Sequence, residues 1–408
     1  MCSLCFNNSA YHFDHFVEDK ADCQSKDACS SKPPIGSHGG RKMGRKEREK
    51  EQLIRTLNNH LNNIHETLQV LNQTAASSLE KVSWNDVIQM GEQVSKKATV
   101  VGMLWTGETP EAKAIEENMA EYFNMLQGFI LLSHGSTVGA GPTLSLSIHA
   151  SVKQVVDSSF KLMMESITLY GSDNKDKEHL MPQYVGAVWE ACSALKKTPA
   201  TNITGIGRAM TQVAVSMKDV LREMKELKPS SSDQNNEASH DDSAKADSEH
   251  QEDDNSSLDE LGNDLSSEEM KVAQLAIGIV SDMLVVIKEL IRTITGLLKH
   301  ENPDDGGKFV DTLERLLKLC QGIGVQIDEL GASLYPPQEL SVIKAGSVKI
   351  LSMTDELQKE VESFNSSSEA FIQACNGLRS SLKQMDSEVD CFNTTDLEAK
   401  LQNVAISN

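Results

Sequence analysis

A strongly acidic stretch at residues 229–269 divides the chain into two parts. It holds fourteen Asp and Glu residues and a single base, Lys245, so it carries about −13 of the formal net charge of −21. Its large apolar side chains are three leucines near the C-terminal end: Leu258, Leu261 and Leu265. Such a segment buries too little apolar surface to offset the conformational entropy that it would lose on ordering. We therefore predict a disordered acidic linker over 229–266, with a folded body on either side.

Both bodies are predicted to be helical. The chain has 408 residues, of which 39% are hydrophobic and 4% aromatic, enough for two cores of ordinary domain size. Alternating β-branched runs between Asn-Gly turns are missing, whereas apolar residues recur three and four positions apart outside the linker. The predicted fold class is all-α, with two antiparallel helical bundles joined by the linker.

The predicted segments follow from breaks in this helical pattern. They are a disordered leader (1–42), an N-terminal helical bundle (43–228), the linker, a C-terminal helical bundle (267–390) and a tail (391–408). The first bundle has helices near 45–74, after Ser83, near 109–134 and 142–170, and a helix-loop-helix-like segment at 182–227. The second is expected to be a four-helix bundle whose first helix begins with a capping box of Ser266 and Glu269.

Charge and hydropathy limit the possible partners. A net charge of −21 and a pI near 5 repel phosphate backbones, so direct nucleic-acid contact is not expected. The segment 267–300 is apolar on almost every side, which would also suit a membrane span. Because Asp282, Lys288 and Glu289 interrupt it, we predict a buried central helix and no membrane contact.

Cysteine and histidine in the leader raise the question of a metal. A Cys2-x-x-Cys5 pair is followed by further possible zinc ligands: His12, His15, Cys23 and Cys29. Their spacing is irregular and no hydrophobic residues would close around an ion, so we predict no metal site. The remaining cysteines lie far apart, and no apolar signal segment precedes them. A reducing cytosolic or nuclear setting is therefore expected, and the basic run at 41–50 suits either nuclear import or a solvated helix start.

Motifs of catalysis are missing from the sequence. The segment Gly139-Ala140-Gly141-Pro142 is a break between helices rather than a phosphate-binding loop, because no GK[ST] follows it. No metalloprotease helix or nucleophile elbow is present either, and no Glu-x-x-His pair lies in the predicted bundle helices. We predict a non-enzymatic protein without a cofactor, although an enzyme of unknown type stays open.

An apolar seam in the segment 182–227 is a candidate partner-binding surface. Its side chains alternate three and four positions apart: Met210, Val213, Met217, Val220, Met224 and Leu227. They suit either packing inside a bundle, which we favour, or dimerisation with another helix-loop-helix chain. A basic helix that could enter a major groove does not precede the segment, since residues 172–179 are charge-balanced.

Two short motifs stand out, one on each side of the acidic break. The first motif is Val188, Trp189, Glu190, Ala191 and Cys192; the second is Ser333, Leu334, Tyr335, Pro336 and Pro337, followed by a helix with Ala345 and Val348. These motifs, and the acidic break between helical halves, resemble the cyclin-D-binding protein family. The resemblance implies a non-catalytic negative regulator of cell-cycle progression in cytoplasm and nucleus. It would bind D-type cyclins or sequester helix-loop-helix factors, since the chain has no basic region.

Two further hypotheses concern regulation and an alternative role. Ser239, Ser256 and Ser257 have an acid three residues on, which suits phosphorylation by an acid-directed kinase. Long helices with few aromatic residues also resemble vinculin- and talin-like rods. A helical scaffold or adaptor that does not bind a cyclin is therefore the alternative function.

Overall fold

The computed structural model describes residues 44–171, 180–229, 264–297, 306–364 and 368–406, with side chains as far as Phe392. Within these residues, ten α-helices and one pair of two-residue strands form the fold. The predicted all-α class is confirmed.

The helices are long, and most of the connections apart from the acidic linker are short. In the first half they are α1 (Arg45–Gln69), α2 (Trp84–Met103), α3 (Ala112–Ser136), α4 (Pro142–Leu169), α5 (Met181–Ala194) and α6 (Asn202–Met224). In the second half they are α7 (Ser267–Gly296), α8 (Gly306–Ser333), α9 (Leu340–Glu362) and α10 (Glu369–Ile406). Single 3₁₀ turns follow α1 (Val70–Asn72) and α5 (Leu195–Lys197).

Local capping signals locate two of the helix starts as predicted. The Ser83 hydroxyl accepts a hydrogen bond from the backbone N–H of Asn85 at 3.1 Å. The Ser266 hydroxyl accepts from the N–H of Glu269, whose carboxylate accepts from the N–H of Ser266 in return. Both caps satisfy donors that have no partner within their own helix.

Two hydrophobic cores fill the molecule. Helices α1 to α5 enclose the first core, which is centred on fully buried aromatic and aliphatic residues such as Phe129, Leu126 and Val155. Helices α6 to α10 enclose the second core, which includes Met283, Ile327 and Phe371. Among the described residues, no buried side chain belongs to both cores.

The position of α6 differs from the predicted domain limits. We predicted that residues 43–228 form one bundle. In the structure, however, Ile203, Met210 and Met217 of α6 lie in the second core. The second body therefore has five helices rather than four, and the cores divide between Leu195 and Ile203. The helix-loop-helix-like segment is not a unit, because α5 packs in the first core. The apolar stripe of α6 packs against α7 and α8, both of which follow the linker in the chain.

Helix α7 runs through the middle of the second core and contacts α6 and α10. Length and apolar composition alone would let α7 cross a bilayer, but this is weak evidence because core helices share both properties. Several of its charged residues have polar partners. Asp282 accepts a hydrogen bond from Ser381 of α10 at 2.6 Å, and Glu289 pairs with Arg292 at 2.6 Å.

The two ends of the acidic linker are held together. Strand β1 (Lys228–Pro229) pairs in parallel with strand β2 (Asp264–Leu265), and Leu265 is fully buried in the second core. Residues 229, 264 and 265 thus belong to the folded body, although the predicted linker included them. The residues between the strands lie outside the described ranges.

Helix α10 extends into the predicted tail. We expected the second bundle to end near residue 390, and the helix itself continues to Ile406. The apolar spacing that begins at Phe371 extends to Val389, which is fully buried within the predicted bundle.

Pairing of β1 with β2 predicts that the fold does not need the acidic segment. We expect a chain in which 231–262 is replaced by a Gly-Ser linker of about eight residues to keep its helical circular dichroism. The shorter loop loses less entropy on closure, so the free energy of unfolding should rise by about 1 kcal/mol. Urea denaturation of both chains measures this, and a clear loss of stability would contradict the prediction.

Candidate partner-binding surfaces

The predicted seam of α6 is not a free surface. Met210, Met217 and Met224 are buried, and Val213, Val220 and Leu227 are partly buried against the same core. The seam faces α8, where two glycines allow close approach. A Cβ atom at Gly331 would lie 2.7 Å from Val220 Cγ1, and one at Gly324 would lie 3.2 Å from Val213 Cγ1. Packing inside the bundle, one of the two predicted possibilities, is what this arrangement shows.

An exposed tryptophan gives the first candidate surface. Trp189 of α5 is 48% exposed, although Val188, Ala191 and Cys192 of the same motif are buried. Its indole Nε1–H donates to Thr99 Oγ1 of α2 at 3.0 Å, which fixes the ring over the seam between the two helices. Val100 and Met103 follow Thr99 on α2, and Met103 is 63% exposed. We call Thr99, Val100, Met103 and Trp189 the Trp189 surface.

Two glycines of α2 bring α5 close enough for this hydrogen bond. A Cβ atom at Gly102 would lie 2.6 Å from Val185 Cγ2, and one at Gly91 would lie 2.5 Å from Leu195 Cδ1. Helix α2 therefore closely approaches α5 at Val185 and the 3₁₀ turn after α5 at Leu195, one on either side of Trp189. Because backbone packing sets the spacing, the indole is held in place before any partner arrives.

The second family motif lies beside a groove. Ser333, Leu334, Tyr335, Pro336 and Pro337 form the end of α8 and the turn into α9. Leu334 is buried and Tyr335 is 43% exposed. The Gln338 side-chain amide donates to the backbone oxygens of Glu269 and Leu334, so the turn is attached to the start of α7.

The α8/α9 groove has a volume of about 280 Å³. Its lining residues are Glu329, Leu330, Ser341, Val342, Ala345, Gly346 and Lys349. The residues from α9 are mostly small, and a Cβ atom at Gly346 would meet nothing within 4 Å, which leaves the floor open. Glu329 and Lys349 place an acid and a base in the lining of the groove.

The buried thiols have no feature of a reactive site. Cys192, Cys320 and Cys375 are buried, and burial raises the pKa of the thiols of Cys192 and Cys320 to about 12. Burial also raises the pKa of Cys375 to about 11. These thiols stay protonated at neutral pH, where a thiol is a weak nucleophile. They act as apolar side chains of the two cores.

Within the described residues, no group of three or more His, Cys, Asp or Glu side chains could hold a metal ion. The leader's Cys2, Cys5, His12, His15, Cys23 and Cys29 lie outside these residues, as do Ser239, Ser256 and Ser257. The predicted absence of a metal site in the leader and the phosphorylation hypothesis therefore stay predictions.

Comparison with protein-family models shows to which family the chain belongs. Residues 86–230 match the model of the Grap2 and cyclin-D-interacting family, N-terminal domain, and residues 241–359 match its C-terminal domain. Together the two matches cover more than half of the chain. The chain belongs to this family. The Trp189 surface lies inside the first match and the α8/α9 groove inside the second.

A distant relative agrees with this membership of the Grap2 and cyclin-D-interacting family. The chain is 21% identical over 216 residues to the Cyclin-D1-binding protein 1 homolog of Xenopus laevis. The matched stretch spans 52% of this chain and 59% of the relative.

The candidate surfaces contain residues that the sequence motifs did not reveal. Trp189 and Tyr335 belong to the motifs, but Thr99, Val100 and Met103 were not predicted as site residues. The exposure of two of them, Val100 and Met103, could have been expected from the sequence pattern of α2. The inward stripe of α2 runs through Val87, Val94, Ala98 and Val101, so Val100 and Met103 are apolar residues that lie off this stripe.

Burial of the α6 seam predicts a large difference between neighbouring substitutions. Met217→Ala should lower the free energy of unfolding by about 2–5 kcal/mol, because it opens a cavity against α8. Val215→Ala on the same helix should change it by less than about 0.5 kcal/mol, since Val215 is 54% exposed. Chemical denaturation of the two variants tests this. Equal effects would mean that the seam does not pack as described.

Proposed function

We propose that the chain binds a D-type cyclin through its folded body and so acts as a non-catalytic negative regulator of cell-cycle progression. The observation that carries the proposal is the match to both the N- and C-terminal models of a cyclin-D-interacting family. The Xenopus relative, which is named for binding cyclin D1, supports the same partner. Action in cytoplasm and nucleus belongs to this proposal.

The Trp189 surface is the part of the body that best suits such contact. Tryptophan is strongly enriched among the residues that dominate binding energy at protein interfaces. Its hydrogen bond to Thr99 already restricts the ring, so less side-chain entropy is lost when a partner covers it. Met103, one helical turn beyond Thr99 on α2, presents a further exposed and adaptable apolar side chain.

The acidic linker has a supporting role in the proposal. Its charge would attract a basic partner over a distance of about 10 Å at ordinary salt and so raise the association rate. Phosphorylation at Ser239, Ser256 or Ser257 would add further negative charge. Neither effect requires the linker to make the final contact.

Sequestration of helix-loop-helix factors is the second proposal, and the structure makes it more costly. A chain without a basic region would form dimers that lack half of the DNA contacts. Dimerisation through the α6 seam, however, would require Met210, Met217 and Met224 to leave the second core. We therefore favour the cyclin.

Titration calorimetry of the full chain against a purified D-type cyclin tests the main proposal. A parallel titration uses the chain with residues 231–262 replaced by a Gly-Ser linker. We expect micromolar or tighter binding in both. Binding lost only with the replacement would make the acidic segment the contact. The absence of binding in both would contradict the proposal and favour a helical scaffold.

Trp189→Ala should then weaken cyclin binding by roughly thirtyfold, corresponding to about 2 kcal/mol, because the indole is the proposed anchor. The matched control is Leu146→Ala on α4, which removes a 69% exposed side chain outside the surface and should leave the affinity unchanged. Circular dichroism shows whether both variants keep their helices. Equal affinities for Trp189→Ala and the unchanged chain would exclude the Trp189 surface.

A further inference from the structure

The turn Gly139–Pro142, a break between helices in the sequence, lies where the two cores meet. Asn202, the first residue of α6, holds this turn from the side of the second core. Its Oδ1 accepts from the N–H of Gly141 at 2.8 Å, and its Nδ2 donates to the carbonyl of Gly139 at 2.9 Å. One asparagine side chain therefore replaces backbone partners that the turn cannot provide.

Helix α4 receives its N-terminal cap from the other core. Its N-cap residue is Gly141, which has no side chain to accept a hydrogen bond, and Pro142 has no N–H. Glu314 of α8 fills this role. Its Oε1 accepts from the N–H of Thr143 at 2.9 Å, and its Oε2 accepts from the Thr143 hydroxyl at 2.7 Å. A carboxylate at this position also interacts favourably with the helix dipole.

The junction leaves no room for a side chain at position 141. A Cβ atom there would lie 2.6 Å from Val310 Cγ1 and 2.7 Å from Glu314 Oε1, both on α8. The backbone of Gly141 has φ −74°, which any residue can adopt, so close approach explains the glycine rather than backbone conformation. The turn and α8 are thus fitted closely to one another.

Little apolar surface supports this junction. The two cores share no buried side chain among the described residues. Near the turn, Leu144 lies beside Gly205 and Val310 lies beside Gly141, and hydrogen bonds such as that between Ser151 and Thr198 add polar contacts. A cleft of about 440 Å³ opens beside it, between Ser83, Ile148 and Thr201. A polar contact of limited size between two cores permits relative motion.

We propose that the molecule consists of two rigid bodies, α1–α5 and α6–α10, joined by a hinge at residues 198–201 and held closed by Glu314. The hydrogen bonds of Glu314 with Thr143 and of Asn202 with the turn hold the two bodies together, and we call these hydrogen bonds the fastener. Opening breaks these hydrogen bonds and leaves both hydrophobic cores intact. A partner that touches both bodies would then set the angle between them. The proposal does not depend on which partner binds.

Two variants open the proposed junction by different means. Glu314→Ala removes the fastener, and Gly141→Ala places a methyl group against α8. Each has a matched control within one body. Glu360→Ala removes a carboxylate that pairs with Arg315 at 3.1 Å inside the second body. Gly186→Ala adds a Cβ atom that meets nothing within 4 Å.

Hydrogen exchange and small-angle X-ray scattering of the full chain measure the outcome. We expect amide exchange at residues 139–145 to become faster by about tenfold or more in Glu314→Ala, because hydrogen bonds to a carboxylate are lost. Exchange inside α7 and in the middle of α4 should not change. The radius of gyration should rise in both junction variants and in neither control. Thr143→Val, which removes only the hydroxyl donor, should give a smaller effect in the same direction.

Three results would overturn the proposal. One is an unchanged scattering profile in both junction variants, even with faster exchange, because this would mean local fraying without movement of the bodies. The second is an equal response of the junction variants and their controls. The third is loss of helical circular dichroism in all junction variants, including Thr143→Val, since the bodies would then not fold independently of the fastener.

Discussion

The packing of α6 against α8 is the contact on which the rest of the structure depends. Two glycines of α8 let the methionine and valine stripe of α6 approach until side chains meet backbone. Each buried methionine removes a large apolar surface from water, and such surfaces dominate the free energy of folding. Because α8 follows the acidic linker in the chain, this contact joins sequence halves that charge and composition separate.

This packing makes the linker a connection within one body rather than between two. The family models divide the chain in the same region as the acidic segment, whereas the hydrophobic cores divide between α5 and α6. The strand pair β1–β2 closes the linker at its base. Candidate binding surfaces are therefore present in both matched domains. Trp189 lies on the first core and the α8/α9 groove on the second.

The features that depend on residues close together in the chain were predictable from the sequence. Helix starts at Ser83 and Ser266 followed from capping, and buried positions followed from spacing three and four apart. The partner of α6 did not follow, because an amphipathic stripe shows that a face is covered but not by which helix. The exposure of Trp189 was also not predictable from its motif, since it depends on how closely α2 and α5 approach. The cap of α4 by Glu314 joins residues 171 positions apart.

Fragment stability tests the assignment of α6 most directly. A fragment of residues 201–408 contains all five helices of the second core, while a fragment of 264–408 lacks α6 and exposes the glycine face of α8. The structure predicts that the longer fragment unfolds cooperatively in urea and that the shorter fragment is much less stable or does not fold. Addition of a peptide spanning 201–229 should restore cooperative unfolding to the shorter fragment. Equal stability of the two fragments would contradict the assignment of α6 to the second core.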